Sequence, residues 1–338
     1  MINASLTHEV RSRRTALKRL ILPLATALAL SPLFAAPAHS AEDYPGKTVK
    51  FVVNFQAGGP IDVIARIVAD KLKASFRHPV IVENAAGAGG NIGANNVAKA
   101  EPDGYTVLFT IDTPLTMNPS LYGAMPFKPA DLRPVIMMGS AGSTIVANPA
   151  TGMTTLKDLI AKGKSAEITF SSAGNGSPGH VASAMLAEAA DVKINHIPYR
   201  GNASAVLAVV SGEVQAGILA TAGALPQIKA DKVKALAVAA SRRSAQLPDV
   251  PTTAELGYPG VEMEFLFVAM VPAKTPDSIV DTLHKAIASA MGQADVQQRL
   301  RSIDIVPADL AGPQVADRLA KLQDRYARII KTTGMKAE

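Results

Sequence analysis

Val49-Lys50-Phe51-Val52-Val53-Asn54-Phe55 runs into Gln56-Ala57-Gly58-Gly59. Pro60 then opens a series in which Ile61, Ile64, Ala65, Val68 and Leu72 recur at helical spacing. The β-branched, apolar run predicts a buried strand. Proline suits the first position of a helix, where an N–H would have no partner anyway. The apolar series falls on one stripe, which must pack against a sheet. The unit recurs at once, as a strand over 80–84, a Gly87-Ala88-Gly89-Gly90 loop and a helix over 91–100. Residues 105–111 make a third strand. Strands alternating with helices predict an α/β protein whose parallel sheet carries helices on its faces.

Outward from this stretch the pattern continues. Strands are predicted over 143–147, 168–170, 194–197, 214–219 and 233–239. A helix capped by Thr154 or Thr155 runs to about 161. Another opens at Pro178, with Val181, Met185, Leu186 and Ala189 facing the core. The C-terminal part reads as helices over 277–291, 293–302 and 313–331. No repeat or low-complexity tract interrupts the chain.

Composition excludes several classes of function. Hydrophobic residues make up 48% of the 338 and charged residues 18%, ample material for a large core. Trp is absent and aromatics are 4%, which disfavours a sugar cleft or a stacking platform for single strands. Of the formal net charge of +6, residues 1–40 carry +4, leaving +2 for the rest. A nearly neutral body has no footprint for nucleic acid. There is no cysteine, hence no disulfide, thiolate metal site, cysteine nucleophile or lipidated cysteine. The six histidines show no pair at metal-ligand spacing, so no metal and no cofactor are expected.

Residues 1–40 read as a cleaved export signal. Basic positions 11–19 precede an apolar run over 20–34, and the small residues Ala38 and Ser40 stand before Ala41. Ser12-Arg13-Arg14-Thr15-Ala16-Leu17-Lys18 is also similar to a twin-arginine signal, so the general secretory and twin-arginine routes both stay open. The mature chain is expected in the periplasm.

Three times a strand enters a glycine-rich loop that opens a helix, at 56–60, 87–91 and 172–178. The first turn of a helix leaves amide N–H groups unpaired, and the helix dipole favours an anion there by ~0.3–1 kcal/mol. At the carboxyl edge of a parallel sheet such loops suit a carboxylate or phosphate without any arginine. His180, one turn into the helix after the third loop, is placed to hydrogen-bond a ligand or to make a local helix contact. His196, within a strand, reads as structural. Asp62, in the first turn after the first loop, reads first as a structural acid complementing the helix dipole and its amides. Gly87-Ala88-Gly89-Gly90-Asn91-Ile92-Gly93 imitates a dinucleotide fingerprint, but the third glycine is one position late. Asn175-Gly176-Ser177-Pro178-Gly179-His180 imitates a nucleophile elbow with Asn175 in place of its first glycine.

Phe55-Gln56-Ala57-Gly58-Gly59-Pro60-Ile61-Asp62 and Glu83-Asn84-Ala85-Ala86-Gly87-Ala88-Gly89-Gly90-Asn91-Ile92-Gly93 resemble the opening of the tripartite tricarboxylate transporter substrate-binding family, also called Bug proteins. Pro102-Asp103-Gly104-Tyr105-Thr106, Asn118-Pro119-Ser120-Leu121-Tyr122, Ser172 to His180, Pro198-Tyr199-Arg200-Gly201, Leu247-Pro248-Asp249-Val250-Pro251-Thr252 and Pro272-Ala273-Lys274-Thr275-Pro276 extend the resemblance along the mature chain.

The resemblance implies a periplasmic-binding-protein fold, two α/β lobes with a hinged ligand cleft. Lobe I is expected from 41–143 and 264–338, lobe II from 144–263. It implies a non-enzymatic receptor, expected as a monomer, for a small organic acid. Its partners would be transporter subunits in the membrane, one large and one small. Carried over, the ligand contacts are Phe55, Ala57, Gly58 and Gly59 on one lobe and Ala173, Gly174, Asn175 and Ser177 on the other. Tyr199 and Thr113 would line the cleft. A receptor presenting its ligand to a sensor kinase is a second reading, and an exported hydrolase using Ser177 and His180 a third. Where the family has a polar Asp-Asn pair this chain has Leu219-Ala220, and Phe267-Val268 stand where an aromatic is usually followed by glycine. Added bulk near the cleft predicts an acid smaller or more apolar than citrate.

Overall fold

The computed structural model describes residues 44–336. The export signal read over residues 1–40 lies outside the described residues. No described helix is long and apolar enough to cross a membrane.

The opening stretch folds as its spacing requires. Strand β1 (Val49–Val53) is buried on both faces, and helix α1 (Pro60–Leu72) has Pro60 in its first turn. Ile61, Ile64, Ala65, Val68 and Leu72 are all buried, the expected stripe. β2 (Val80–Asn84), α2 (Asn91–Ala98) and β3 (Thr106–Ile111) follow, and β2 and β3 both pair with β1 in parallel. Short helices α3 (Thr113–Thr116) and α4 (Asn118–Leu121) lead to β4 (Leu132–Ala147), a strand of 16 residues. The remaining order is α5 (Leu156–Ser165), β5 (Ile168–Ser172), α6 (Pro178–Ala190), β6 (Ile194–Pro198), α7 (Asn202–Ser211), β7 (Ala216–Ala220), α8 (Thr221–Lys229), β8 (Lys234–Ala239), β9 (Glu264–Pro272), α9 (Asp277–Met291), α10 (Ala294–Ser302), β10 (Val306–Ala311) and α11 (Gly312–Thr333).

The sheet is mixed, not wholly parallel as the alternation predicts. Its order is β2-β1-β3-β9-β4-β7-β5-β6, with β10 and β8 also on β4. β9 is antiparallel to both β3 and β4. The alternating pattern could not show this, because β9 returns to the sheet after a long excursion in sequence. The prediction of a strand over 143–147 catches only the end of β4. Its first eleven residues, Leu132 to Gly142, pair with β9, whereas Ser143 to Ala147 pair with β7 and β8. One strand therefore belongs to two sheets.

Each sheet is covered on both faces, which gives two α/β lobes. In the first, Phe51 and Phe109 stack at 4.3 Å under Ile64, Val68, Leu283 and Ile287 of α1 and α9. On its other face Leu108, Leu266 and Met270 meet Val97 of α2 and Val315 and Leu319 of α11. In the second, Phe170 and Ile218 meet Val181 and Leu186 of α6, and Val146 and Leu219 meet Val206 and Val209 of α7. Helix α11, about 33 Å long at 1.5 Å per residue, takes part in both. Its Val315 and Leu319 belong to the first core, its Tyr326 and Ile330 to the second.

Candidate functional site

Strand directions locate the site. β1, β2 and β3 run parallel, and β4, antiparallel to β9, runs the same way as β3. The carboxyl ends of β1 to β3 thus lie on the side towards which β4 proceeds into the second sheet. There β7 is antiparallel to β4, and Ala220 at its carboxyl end pairs with Ser143. β5 and β6 share the direction of β7. The two sheets therefore turn their carboxyl edges, where ligands bind in α/β proteins, towards one junction at Gly142 and Ser143. The loops at 56–60 and 172–178 sit on these two edges.

The first loop is held from behind. The Gly58 N–H donates to Asp62 Oδ2 at 2.9 Å, and Arg66 and Asn84 donate to the same carboxylate. Burial pushes this carboxyl up, but the Arg66, Gly58 and Asn84 bonds outweigh it and hold Asp62 below the usual carboxylate range. Asp62 is thus the structural acid expected, bonded to its own loop. The Gly59 N–H makes a long bond of 3.4 Å to the Gln56 carbonyl, and the Phe55 carbonyl accepts from Asn84 Nδ2 at 3.1 Å. The Ala57 N–H has no acceptor among the described residues, and neither have those of Ile61 and Asp62 in the open first turn of α1.

The second glycine loop serves the first. Gly90, at φ 91°, is so close to Asn54, Phe55 and Pro114 that a Cβ there would lie 2.7 Å from Asn54 Nδ2 and 3.0 Å from the other two. Asn54 donates to the Gly90 carbonyl, and Asn118 donates to that of Gly89. These glycines pack loop on loop; the resemblance to a dinucleotide fingerprint has this packing as its cause.

On the opposite edge, Ser177 caps α6, accepting from the His180 N–H at 3.4 Å. Its hydroxyl donates to Ser172 Oγ at 3.1 Å. His180 Nδ1 accepts the Gly176 N–H at 3.1 Å, so Ser177 and His180 are a helix cap and a loop anchor and not a nucleophile with its base. The Gly174 N–H goes to Ser172 Oγ and the Ser177 N–H to the Gly174 carbonyl. The amides of Ala173 and Asn175 find no acceptor among the described residues. Tyr199 is half-buried beside this loop; its N–H donates to the Ser172 carbonyl and its hydroxyl to Glu213 at 2.8 Å. Burial, with Glu213 adding, pushes the Tyr199 hydroxyl up to about 12.

Two features of the site, the hydroxyl of Ser143 and the ring stack at His196, escaped the sequence. Thr113, buried at the start of α3, and Ser143, at the crossing of the sheets, each keep a buried hydroxyl without a partner among the described residues. Thr113 was expected to line the cleft, but Ser143 had no signal, lying inside an ordinary strand pattern. The other is His196, which reads as a plain strand residue. Its ring stacks on His180 at 3.8 Å and 7°, and its Nε2 lies 2.6 Å from Ser172 Oγ.

The predicted bulk in the cleft is not there. Leu219 is packed among Val146, Val206 and Val209 in the interior of the second lobe, and Phe267 and Val268 lie in the two cores of the first. The Ala220 N–H donates to Asn202 Oδ1 at 2.9 Å. Leu219 and Phe267-Val268 thus add their bulk to the interior and not to the cleft, while Ala220 stands half-buried where β7 ends at the junction.

Comparison with known proteins agrees with this geometry. Residues 64–335 match the model of the tripartite tricarboxylate transporter family receptor (TctC). Protein BugT of Bordetella pertussis is 35% identical over 306 residues, 89% of this chain and 94% of its own. The solved structure of Rhodopseudomonas palustris Rpa4515 with adipate superposes with a TM-score of 0.82 at 28% identity, covering 87% of this chain and 99% of that one. That of MatC from the same organism, with bound malate, gives 0.77 at 27% identity over 85% and 100%. The chain belongs to the tripartite tricarboxylate transporter receptor family and is a solute-binding receptor, not an enzyme, built on the periplasmic-binding-protein fold of two α/β lobes about a ligand cleft.

Proposed function

We propose that this protein captures a small organic carboxylate in the periplasm and delivers it to a secondary transporter of one large and one small membrane subunit. One observation carries the reading: two glycine loops on different sheets face one junction, each leaves amide donors unengaged, and neither contains a cation. Amides at helix starts are suited to a carboxylate. The adipate and malate held by two structural relatives belong to the same chemical class.

In this reading the lobes are 41–143 with 264–338, and 144–263. Ala57 offers the free amide of the first loop, while Phe55, Gly58 and Gly59 shape it. Ala173 and Asn175 offer those of the second, while Gly174 and Ser177 shape it. Thr113 and Ser143 supply hydroxyls at the floor, where a ligand would satisfy them, and Tyr199 lines the wall. A single carboxylate met from both sides favours the closed state over the open one, and the closed surface is what the transporter recognises. Residues 1–40 direct export, and the receptor acts as a monomer.

Calorimetric titration of ligand-stripped protein against mono-, di-, tricarboxylic and aromatic acids tests the reading. Micromolar Kd, about −8 kcal/mol, is expected for a few related acids. No binding by any acid of the panel would overturn it.

A further inference from the structure

The loop at 173–177 hangs from two imidazoles, and its hydrogen bonds assign a proton to each. The Gly176 N–H points at His180 Nδ1 at 3.1 Å, so this nitrogen carries a lone pair and the neutral ring holds its proton on Nε2. Ser172 Oγ receives the Ser177 hydroxyl at 3.1 Å and the Gly174 N–H at 3.2 Å. Those two donors fill its two lone pairs. With both lone pairs taken, a His196 N–H would find no acceptor on this oxygen. The Ser172 proton has two acceptors in reach, the Gly174 carbonyl at 3.0 Å and His196 Nε2 at 2.6 Å, and the shorter contact has Ser172 as donor and the imidazole as acceptor, with the His196 proton on Nδ1. The two rings lie parallel at 3.8 Å, an arrangement that opposes a charge on both.

We propose that His180 and His196 are positioning residues which, as a neutral stacked pair, hold the 173–177 loop in the shape that presents the Ala173 and Asn175 amides to an anion. This rests on the carboxylate-receptor reading and adds to it the groups that keep the second loop in place. Protonating His180 at Nδ1 sets a donor against the Gly176 N–H. Protonating His196 at Nε2 sets one against Ser172, through which Ser177 and Gly174 are held. Acid therefore loosens the loop and weakens binding. Direct contact between an imidazole and the ligand would do the reverse, since a cationic ring attracts a carboxylate. Burial lowers the affinity of both rings for a proton, with His180 adding to the effect at His196, and no carboxylate or cation from β5, β6 or α6 acts on either ring.

The first test needs no ligand. In the ¹⁵N-histidine-labelled protein, ring nitrogen shifts should show His180 protonated on Nε2 and His196 on Nδ1, and the Gly176 amide should titrate with the rings. The second is calorimetry with adipate between pH 7 and 4 on the wild type, His196→Leu and His196→Gln. His196→Leu, which removes the acceptor, should weaken binding about tenfold, roughly one hydrogen bond. His196→Gln keeps an acceptor that does not titrate, so it should recover most of the affinity. Ionisation of adipate cancels in the ratio of wild type to His196→Gln, and this ratio should move against the wild type as pH falls. The opposite tautomers, or a ratio that moves towards the wild type in acid, would overturn the proposal. If adipate does not bind at all, the tautomers and the Gly176 titration still decide it, and the failure belongs to the receptor reading.

Discussion

Asp62 shows how one side chain shapes a binding loop without touching a ligand. Its carboxylate, nearly fully buried, ties the Gly58 amide to Arg66 and Asn84, and so sets which amides of the loop stay open. Asp62→Ala leaves the Gly58 N–H and the guanidinium without this partner. Hydrogen bonds to charged groups contribute about 1.5–3 kcal/mol, so a fall of about 2 kcal/mol in unfolding free energy is expected from urea denaturation. His196 gives a pH dependence of definite sign. Burial, then its neighbour His180, pushes it down to about 4. Between this value and the ordinary 6.5 the unfolded chain takes up the proton first. Stability from this source is thus complete above pH 6.5 and is lost as pH falls towards 4. Asp112 opposes it over part of that range, because burial pushes its carboxyl up to about 6, so that its proton stabilises the fold at low pH and is lost as pH rises through 6. Denaturation at pH 7 and pH 4.5 should show a smaller loss in His196→Leu than in the wild type; equal losses would remove His196 as the source.

At the scale of elements, α6 must lie close against the sheet for its loop to reach the junction. Gly179 permits that approach. A Cβ there would run into the Ile218 carbonyl of β7 and touch Ser172. Gly179→Ala should push the helix off the sheet at a cost of about 1–3 kcal/mol, seen as a lower urea midpoint with unchanged slope, and should weaken carboxylate binding at the same time. Stability unchanged from the wild type would mean that α6 shifts freely. The cap at the same helix is a smaller effect. Ser177→Ala removes a side-chain acceptor whose loss costs about 0.5–2 kcal/mol, and it frees Ser172 from one of its donors.

At the scale of the molecule, β4 and α11 each belong to both lobes, so the lobes share covalent and packed connections. Arg318 pairs with Glu264 at 3.2 Å and Arg325 with Glu262 at 3.6 Å, one beside each core. Bending at the strand crossing would close the carboxyl edges on one another. Small-angle scattering should therefore show a smaller radius of gyration with saturating ligand, and superimposable curves with and without it would count against closure. Binding that buries apolar cleft surface should also carry a negative heat-capacity change.

The local units were legible in the sequence because their causes are local. The apolar stripe from Ile61 to Leu72, Pro60 at the head of α1, the Thr155 cap and the glycine loops follow from helical period, missing N–H groups and backbone freedom, and each lies where those features place it. The resemblance to a receptor family was legible for the same reason, since its motifs are the loops themselves. Tertiary structure alone decided that β9 enters the sheet antiparallel, that β4 serves two sheets, and that the carboxyl edges therefore meet. It alone decided that Leu219 and Phe267 face packed cores, that Gly58 gives its amide to Asp62, and that His196 lies under His180. Those are pairings between residues far apart in the chain or on different faces of one element, and no period or motif within a segment records which neighbour the fold will bring to it.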